Sequence, residues 1–522
     1  MTRADTPTPA APPPRGRDPR LDFFRGLAMF IILMAHTPGN AWALWIPARF
    51  GFSDATEIFV FCSGFASALA FGTAYRRSGW WLGTARIAQR VWQVYWAQIG
   101  MVLVTVAFLH AVDRYGLGAE GVRYVTLLPV LPLFEDTGAA LLGLLTLTWV
   151  PNFFDILPMY IVILMMVPVV MALAGRLGPG AVAVFVIGLW ALAQTGALDL
   201  PSRPWATEIP WFFNPFGWQL VFFTGFAFGM GWLPAPPVSR RLVALCAAWL
   251  LLVVPFAWHQ VHDAGWLPAD WALREGVAAV RAATEPLWWK TELGALRMLH
   301  FLALAYLAWV AVGPGGVRLS SGVAAPRAPG RAVLLAAGAL ALLTAPYAWI
   351  EEIGTFFPRL DAAILHLFAQ TAPRVLGLSL VAPPMLVGPL QVLHLVCLAL
   401  LGWAALGPGR RAWLCGAGLR GLVPVVRKVG TQSLAVFMVS ILLAQVNGWL
   451  LDILGRDMLR WMLVNLWGCA VLVATAYLVA WFKAQPWRQK PAGGGRTEAE
   501  QGAGRAPGAT PPGRAPRVHP AE

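Results

Sequence analysis

The sequence predicts an all-α polytopic integral membrane protein, a bundle of about 10–12 transmembrane helices. Of the 522 residues, 58% are hydrophobic and only 12% are charged, whereas soluble globular domains carry about 25% charged residues. Apolar runs near or above the roughly 18 residues needed to cross a bilayer recur along the whole length. The 27 tryptophans fit belts at the membrane surfaces. Together these observations exclude the soluble globular class.

The predicted helices follow from length and hydropathy. The stretch around 125–150 is apolar but is broken by Pro129, Pro132 and Glu135, and it predicts an interfacial or re-entrant segment. We count about twelve candidate spans, with approximate limits 22–39, 54–73, 88–111, 154–175, 181–198, 211–232, 241–258, 295–313, 332–349, 386–405, 431–451 and 461–482.

Charge sets the expected orientation. Lysine and arginine concentrate in every second loop, which predicts cytoplasmic N- and C-termini. Such loops account for the formal net charge of +14, and we find no nucleic-acid motif. We expect a disordered Pro-rich arm at 1–20, a membrane domain at 21–484 and a disordered Gly/Pro/Arg-rich cytoplasmic tail at 485–522. The five cysteines form no CxxC pair or metal-like cluster, so neither a disulfide framework nor a metal site is expected.

The first span carries ionisable residues. Arg25 and His36 are eleven positions apart, close to three helical turns, so they share one face and lie roughly 16 Å apart along the axis. Asp22 lies one turn before Arg25 and can pair with it. Snorkelling would explain Arg25 alone, and helix packing would explain His36 alone. Their shared face at different depths favours a functional role, because ionisable residues are costly in a membrane.

Two acids open the second span, Asp54 and Glu57. Both can serve as a helix cap or as first-turn acids that complement the helix dipole. The functional alternative is a carboxylate beside His36, which would fix the imidazole tautomer and stabilise its charged form. We predict His36, Glu57 and Asp54 as the catalytic group.

Further polar residues are predicted at the same membrane depth as His36 and Glu57, where they indicate a polar cavity. Arg297 is the best candidate to hold an anionic group there, although snorkelling to the headgroups explains it equally well. The candidate substrate-binding residues are Asn152, Asp155, Asn214, Gln219, Lys290, Arg297 and His300.

These motifs resemble a known family. Arg25 and His36, with ten residues between them, resemble the Arg-x10-His signature of the acyltransferase 3 superfamily, and "EIFVFCSGF" resembles its second-span motif. Six segments resemble those of a narrower family, the OpgC family, in this order: "RDPRLDFFRGLA", "GFSDATEIFVFCSG", "PNFFDILPMY", "NPFGWQLVFFTG", "KTELGALRMLHFLALAY" and "VGTQSLAVF". Residues 314–425 depart from the OpgC pattern, and about twelve spans exceed the ten expected for that family.

The resemblance implies a multi-pass acyltransferase of the bacterial inner membrane that succinylates a periplasmic glucan. It implies acyl-CoA, with succinyl-CoA expected, as donor substrate, and no permanently bound cofactor. His36 would act as general base on the acceptor hydroxyl, by direct transfer or through a transient acyl-histidine. Arg297 or Lys290 would hold the succinyl carboxylate. The expected partners of the CoA phosphates are Arg25, Arg76, Arg77 and Arg86.

Two alternatives remain open at this point. One is an O-acyltransferase for another envelope polysaccharide or a lipid-linked sugar, with the same chemistry. The other is a glycan exporter or secondary transporter, whose usual span number the chain matches. Against the transporter, the two halves show no convincing repeat and no paired broken helices.

Overall fold

The computed structural model describes residues 18–262, 272–321, 325–356 and 384–488. Nearly all regular structure in these ranges is helical, which confirms the predicted all-α class. A two-stranded antiparallel hairpin pairs β1 (Pro201–Arg203) with β2 (Ala206–Pro210). The helices are α1 (Pro19–His36), α2 (Ala55–Arg114), α3 (Pro132–Glu135), α4 (Thr137–Thr146), α5 (Ile156–Leu177), α6 (Pro179–Ala193), α7 (Pro215–Met230), α8 (Arg240–Ala257), α9 (His259–His262), α10 (Ala272–Ala283), α11 (Glu285–Trp288), α12 (Ala295–Val312), α13 (Val317–Ser321), α14 (Arg331–Phe356), α15 (Pro384–Ala405), α16 (Gly407–Trp413), α17 (Leu419–Thr431), α18 (Ser433–Leu454) and α19 (Met458–Ala484).

The chain divides into two units, residues 1–477 and 478–522. In the first unit α2 packs against α1, α5, α7 and α18, and α1 packs in addition against α17. The main hydrophobic core forms where these helices meet, and its largest fully buried side chains include Trp149, Trp218 and Phe154. α14 and α15 form a separate packed pair with a small core of their own.

Local sequence explains where α1 and α2 begin. The carboxylate of Asp18 accepts from the Arg20 amide (2.9 Å), and Pro19 occupies the first position of α1, where its missing N–H costs nothing. At the start of α2, Asp54 accepts from the Thr56 amide (2.6 Å) while Glu57 accepts from the Asp54 amide (2.8 Å). This reciprocal arrangement is a capping box. The two acids therefore do serve as caps, as one of the sequence interpretations has it.

α2 contains two of the predicted spans in one helix of 60 residues. The break between them is at Gly79, whose φ of 75° and ψ of 178° are non-helical. A positive φ is accessible to glycine without the penalty that a Cβ imposes. In place of the predicted loop after the second span, the structure has a single non-helical residue, Gly79, that joins the two parts of α2.

Six helices in the described ranges are long and apolar enough to cross a membrane, against about twelve predicted spans. Residues 393–405 and 407–431 form a bent pair that makes a seventh if it counts as one span. The difference has physical causes. α2 merges two spans, α6 and α7 have only 15 and 16 residues, and α1 carries three charged residues within its 18. The stretch at 125–150 contains only short helices, α3 and α4 among them.

Glycines allow the closest helix contacts. A Cβ at Gly26 of α1 would overlap the carbonyl oxygen of Val426 in α17, and one at Gly430 would overlap the carbonyl oxygen of Asp22. In the same way, a Cβ at Gly64 of α2 would overlap the carbonyl oxygen of Phe222 in α7. Backbones in contact at small residues are the usual way in which membrane helices pack.

We expect Gly64→Ala to destabilise the protein by about 1–3 kcal/mol, because the added methyl group forces the α2 and α7 backbones apart. Thermal unfolding of the purified protein measures the effect. Gly100 is the matched control, since it lies in the same helix with nothing within 4 Å of an added Cβ. Gly100→Ala is expected to be neutral or slightly stabilising, because alanine is the better helix former. Equal effects of the two substitutions would contradict the packing described here.

Candidate functional site

Four ionisable side chains form a group that is buried at Glu57 and Arg297 and partly exposed at Lys290, which we call the charged cluster: Asp54, Glu57, Lys290 and Arg297. Lys290 Nζ donates to Asp54 Oδ2 at 2.6 Å. Arg297 donates through Nη2 to Asp54 Oδ2 at 3.2 Å and through Nε to Glu57. Glu57 is fully buried and Arg297 is 7% exposed. Two acids thus balance two bases, as a buried set of charges requires.

The cluster bears on one of the two explanations offered for Arg297, its snorkelling, whereas its binding of an anionic substrate group stays a prediction. A snorkelling arginine would place its guanidinium at the membrane surface, whereas the Arg297 side chain is buried between two carboxylates. The face of Trp218 adds a cation–π contact, with the guanidinium carbon 6.0 Å from the ring centroid. Snorkelling is therefore the wrong explanation for this residue.

Lys290 comes from the segment between α11 and α12, residues 289–294, which we call the strap. The strap is fixed through its own backbone carbonyls: Trp218 Nε1 donates to Lys290 O (2.9 Å), and the Asn214 amide donates to Thr291 O (3.0 Å). A Cβ at Gly217 would overlap the carbonyl oxygen of Glu292. Lys290 thus reaches Asp54 from a backbone held by α7.

His300 and Ser53 brace the residues just before α2. The Ser53 hydroxyl donates to His300 Nδ1 (2.7 Å), and the Ser53 amide points to the same nitrogen (3.3 Å). Nδ1 is therefore an acceptor, and Nε2 carries the proton. Both side chains are buried, so His300 fixes the turn that presents Asp54. The sequence named His300 as a substrate-binding candidate but not its partner Ser53.

His36 ends α1, and its Nδ1 donates to the carbonyl of Ile32 at 2.8 Å. Because a carbonyl only accepts, the proton of the neutral ring is on Nδ1, and Nε2 has a free lone pair. The sequence interpretation offered Glu57 as the group beside His36 that would fix the imidazole tautomer. The structure instead pairs Glu57 with Arg297, because a buried carboxylate takes the nearest cation, while the preceding helical turn supplies the partner of His36.

His36 lies near the charged cluster, within electrostatic range of Lys290 and Asp54. The ring of Phe153 packs against it edge-on, with centroids 5.1 Å apart. Phe153 has a φ of 89°, which is unusual for a residue with a side chain, and such strain costs of order 1–3 kcal/mol. The Asn152 side chain supports the loop by accepting from the Phe153 amide (2.8 Å). Strain of this kind concentrates at functional sites.

Asp155 lies next to this loop and is 3% exposed. Its Oδ2 is buried, and no group in the described residues donates to it. It is also within electrostatic range of Lys290. A buried carboxylate oxygen without a donor is rare in folded proteins, so this oxygen needs an explanation.

Arg25 lies in the first half of α1, almost two turns after the helix begins. Its Nη2 donates to the hydroxyl of Ser433, the first residue of α18, and its guanidinium carbon lies 5.9 Å from the ring centroid of Phe59. The residue therefore sits where α1, α2 and α18 meet. Arg25 and His36 thus lie eleven positions apart in one helix, and His36 is its last residue.

The remaining candidates have structural contacts. Asn214 caps α7 and donates to Leu198 O (2.7 Å) and Asp199 Oδ1 (2.8 Å). Gln219 joins α7 to α6 by donating to Val186 O (2.7 Å). Their binding of substrate stays a prediction. Arg76, Arg77 and Arg86 are exposed on either side of the break in α2, and their contact with a donor also stays a prediction.

We expect Arg297→Met to cost about 3–5 kcal/mol of unfolding free energy, because it leaves Glu57 as a buried charge without its partner. The double variant Arg297→Met, Glu57→Gln should lose less than the sum of the two single variants, and a thermal or denaturant double-mutant cycle measures this coupling. The exposed pair of Arg460 and Asp457 (2.6 Å) is the control, and Arg460→Met should cost about 0–1 kcal/mol. Strictly additive effects at Arg297 and Glu57 would contradict the ion pair.

Comparison with known proteins identifies a family. A family model described as "OpgC protein" matches residues 17–335 and 332–484. The two matched segments run through 314–425, the region expected to depart from the family, and they meet within it. No curated protein and no solved structure matches the chain. Since the family model covers far more than half of the sequence, this membrane protein belongs to the OpgC family and is an acyltransferase of the OpgC type.

Proposed function

We propose that this protein transfers an acyl group, with succinyl expected, from acyl-CoA on the cytoplasmic side of the bacterial inner membrane to a hydroxyl of a periplasmic glucan. Family membership supports an acyl donor and a glucan acceptor in general terms. The identity of the donor, the acyl group, the membrane and the catalytic residue are our proposal.

The observation that carries the mechanism is the hydrogen bond from His36 Nδ1 to Ile32 O. It leaves Nε2 as the basic nitrogen. In the proposed step Nε2 takes the proton of the acceptor hydroxyl while the hydroxyl oxygen attacks the thioester carbonyl carbon. The carbon–sulfur bond then breaks, and the imidazolium returns the proton to the leaving thiolate. The products are an ester on the glucan and CoA thiol, so every atom and proton is accounted for.

The charged cluster would support this step without taking part in proton transfer. Its charges are paired with one another, which keeps Lys290 and Asp54 fixed near His36. In this proposal the unpartnered Oδ2 of Asp155 would accept from an acceptor hydroxyl and so orient the sugar.

A succinyl group brings its own carboxylate, for which the sequence offered Arg297 or Lys290. The Arg297 side chain is engaged by two carboxylates and is 8% exposed, whereas the Lys290 side chain is 30% exposed. An ammonium group has three donors, of which Asp54 uses one. Lys290 is therefore the better placed of the two.

The function as a whole is tested on periplasmic glucans from a deletion strain, by their mass and charge. Complementation with the parent protein should restore anionic, succinylated glucan. Unchanged glucans would point instead to another envelope polysaccharide or a lipid-linked sugar as acceptor. A transporter would restore no succinylation and would release no CoA thiol from acyl-CoA in vitro.

We expect His36→Ala to lower acyl transfer by about 10²–10⁴-fold, since that is the usual contribution of a general base. Release of CoA thiol by purified protein measures the rate, and thermal unfolding checks the fold. His110→Ala is the control, because His110 is an exposed histidine stacked on Phe134 at 5.3 Å. If His36→Ala transfers at the parent rate, His36 is a packing residue and the mechanism fails.

Removing the arginines near the break in α2 should weaken donor binding. We expect the triple variant Arg76→Gln, Arg77→Gln, Arg86→Gln to raise KM for acyl-CoA about tenfold, a loss of about 1.4 kcal/mol. KM for an acyl-pantetheine donor, which lacks the nucleotide phosphates, should not change. Arg176→Gln, in another predicted cytoplasmic loop, is the control. Equal increases with both donors would exclude these arginines as phosphate ligands.

A further inference from the structure

An open groove of about 450 Å³ lies beside the strap. This volume falls within the range of roughly 300–1,000 Å³ that is usual for small-molecule sites. The side chains relevant to its chemistry are two tryptophans, two glutamates and one glutamine: Trp190, Trp289, Glu285, Glu292 and Gln194. None of the residues that line it in the described part of the chain is a lysine or an arginine.

The groove and the charged cluster share the strap as a common wall. Trp289 and Glu292 line the groove, whereas Lys290, between them in sequence, reaches Asp54 in the cluster. The strap is also fixed from the groove side. Trp190 Nε1 donates to Leu293 O (2.9 Å), and Gln194 Nε2 donates to Glu292 O (2.7 Å).

These hydrogen bonds determine what the groove offers to a ligand. The indole N–H of Trp190 is used by the strap, so the ring contributes its face and edge. Trp289 is 44% exposed and presents an open aromatic surface. The Gln194 side chain uses one of its two N–H groups on the strap, which leaves the second N–H as a donor and Oε1 as an acceptor. Glu285 and Glu292 form no ion pair in the described residues, so their carboxylates are available as acceptors too.

A neutral hexose matches this set. A pyranose ring has a face of C–H groups, which packs on the electron-rich face of an aromatic ring. Its rim of hydroxyl groups donates to carboxylate and amide oxygens. A phosphate-bearing headgroup fits less well, because two carboxylates without a neighbouring cation repel an anion.

We propose that this groove is a sugar subsite, which binds a hexose unit of the acceptor chain next to the unit that is acylated. The inference rests on the proposed function and adds to it the residues that recognise the acceptor. One sugar unit occupies the cluster side of the strap, near His36, and its neighbour occupies the groove. An acceptor of several units then binds more tightly than a single glucose.

The test uses full-length protein in detergent and two acceptors, a neutral glucan of several glucose units and free glucose. Trp289→Ala and Glu292→Gln should each raise KM for the glucan about tenfold or more, with kcat little changed. The value of kcat/KM for free glucose should stay at the parent level. Trp205→Ala is the matched control, since Trp205 is 47% exposed in the β-hairpin and does not line the groove.

Three results would overturn the subsite. The first is an unchanged KM for the glucan in both variants. The second is an equal rise for glucan and glucose, which would mean that the substitutions disturb the strap. The third is an unfolding midpoint of Trp289→Ala or Glu292→Gln that is lower than that of the parent protein in lipid nanodiscs, while KM for the glucan is unchanged. This result would assign the groove to a lipid headgroup.

Direct binding separates the subsite from the proposed function. Isothermal titration calorimetry with the glucan requires no turnover. If the parent protein does not acylate the glucan but binds it about tenfold more tightly than Trp289→Ala does, the subsite stands while the proposed reaction fails. If the parent and the variant bind with equal affinity, or if neither binds, the subsite is wrong.

Discussion

The burial of two carboxylates with two cations constrains everything around the candidate site. Each charge taken from water costs several kcal/mol, and only close pairing offsets that cost. The first turn of α2, the first turn of α12 and the strap must therefore meet at one point. Asp54 and Glu57 serve twice, because they also cap α2. The acids that begin the helix are the acids that hold the cluster.

The site is built from helix ends and from the segments that join them. His36 is the last residue of α1, and Asp54 is the cap of α2. Lys290 belongs to the strap, and Phe153 to the strained loop before α5. Backbone groups do much of the positioning. A carbonyl of α1 sets the tautomer of His36, and the strap is held on both sides through its own carbonyls. The backbone thus positions several of the site's side chains.

Sequence patterns predicted the parts of the site that depend on local spacing. The shared face of Arg25 and His36 and the capping box follow from positions a few turns apart. The partners of Asp54 and Glu57 could not be predicted, because Lys290 and Arg297 lie more than 200 residues further along the chain.

Other features leave no trace in spacing or hydropathy. No periodic pattern marks the positive φ of Phe153 or the groove beside the strap. Hydropathy also does not show that two of the predicted spans belong to one helix, α2. Hydropathy measures apolar length, whereas the break in α2 depends on one glycine.

The length of α1 between its two supports has a further consequence. Near Arg25 the helix touches the α17 backbone at Gly26, and beyond His36 the amides of Asn40 and Asn465 bond reciprocally at 2.9 Å. With both ends held, an insertion of one residue between them would turn His36 by about 100° around the axis. The number of residues between the two supports therefore sets the direction in which His36 faces.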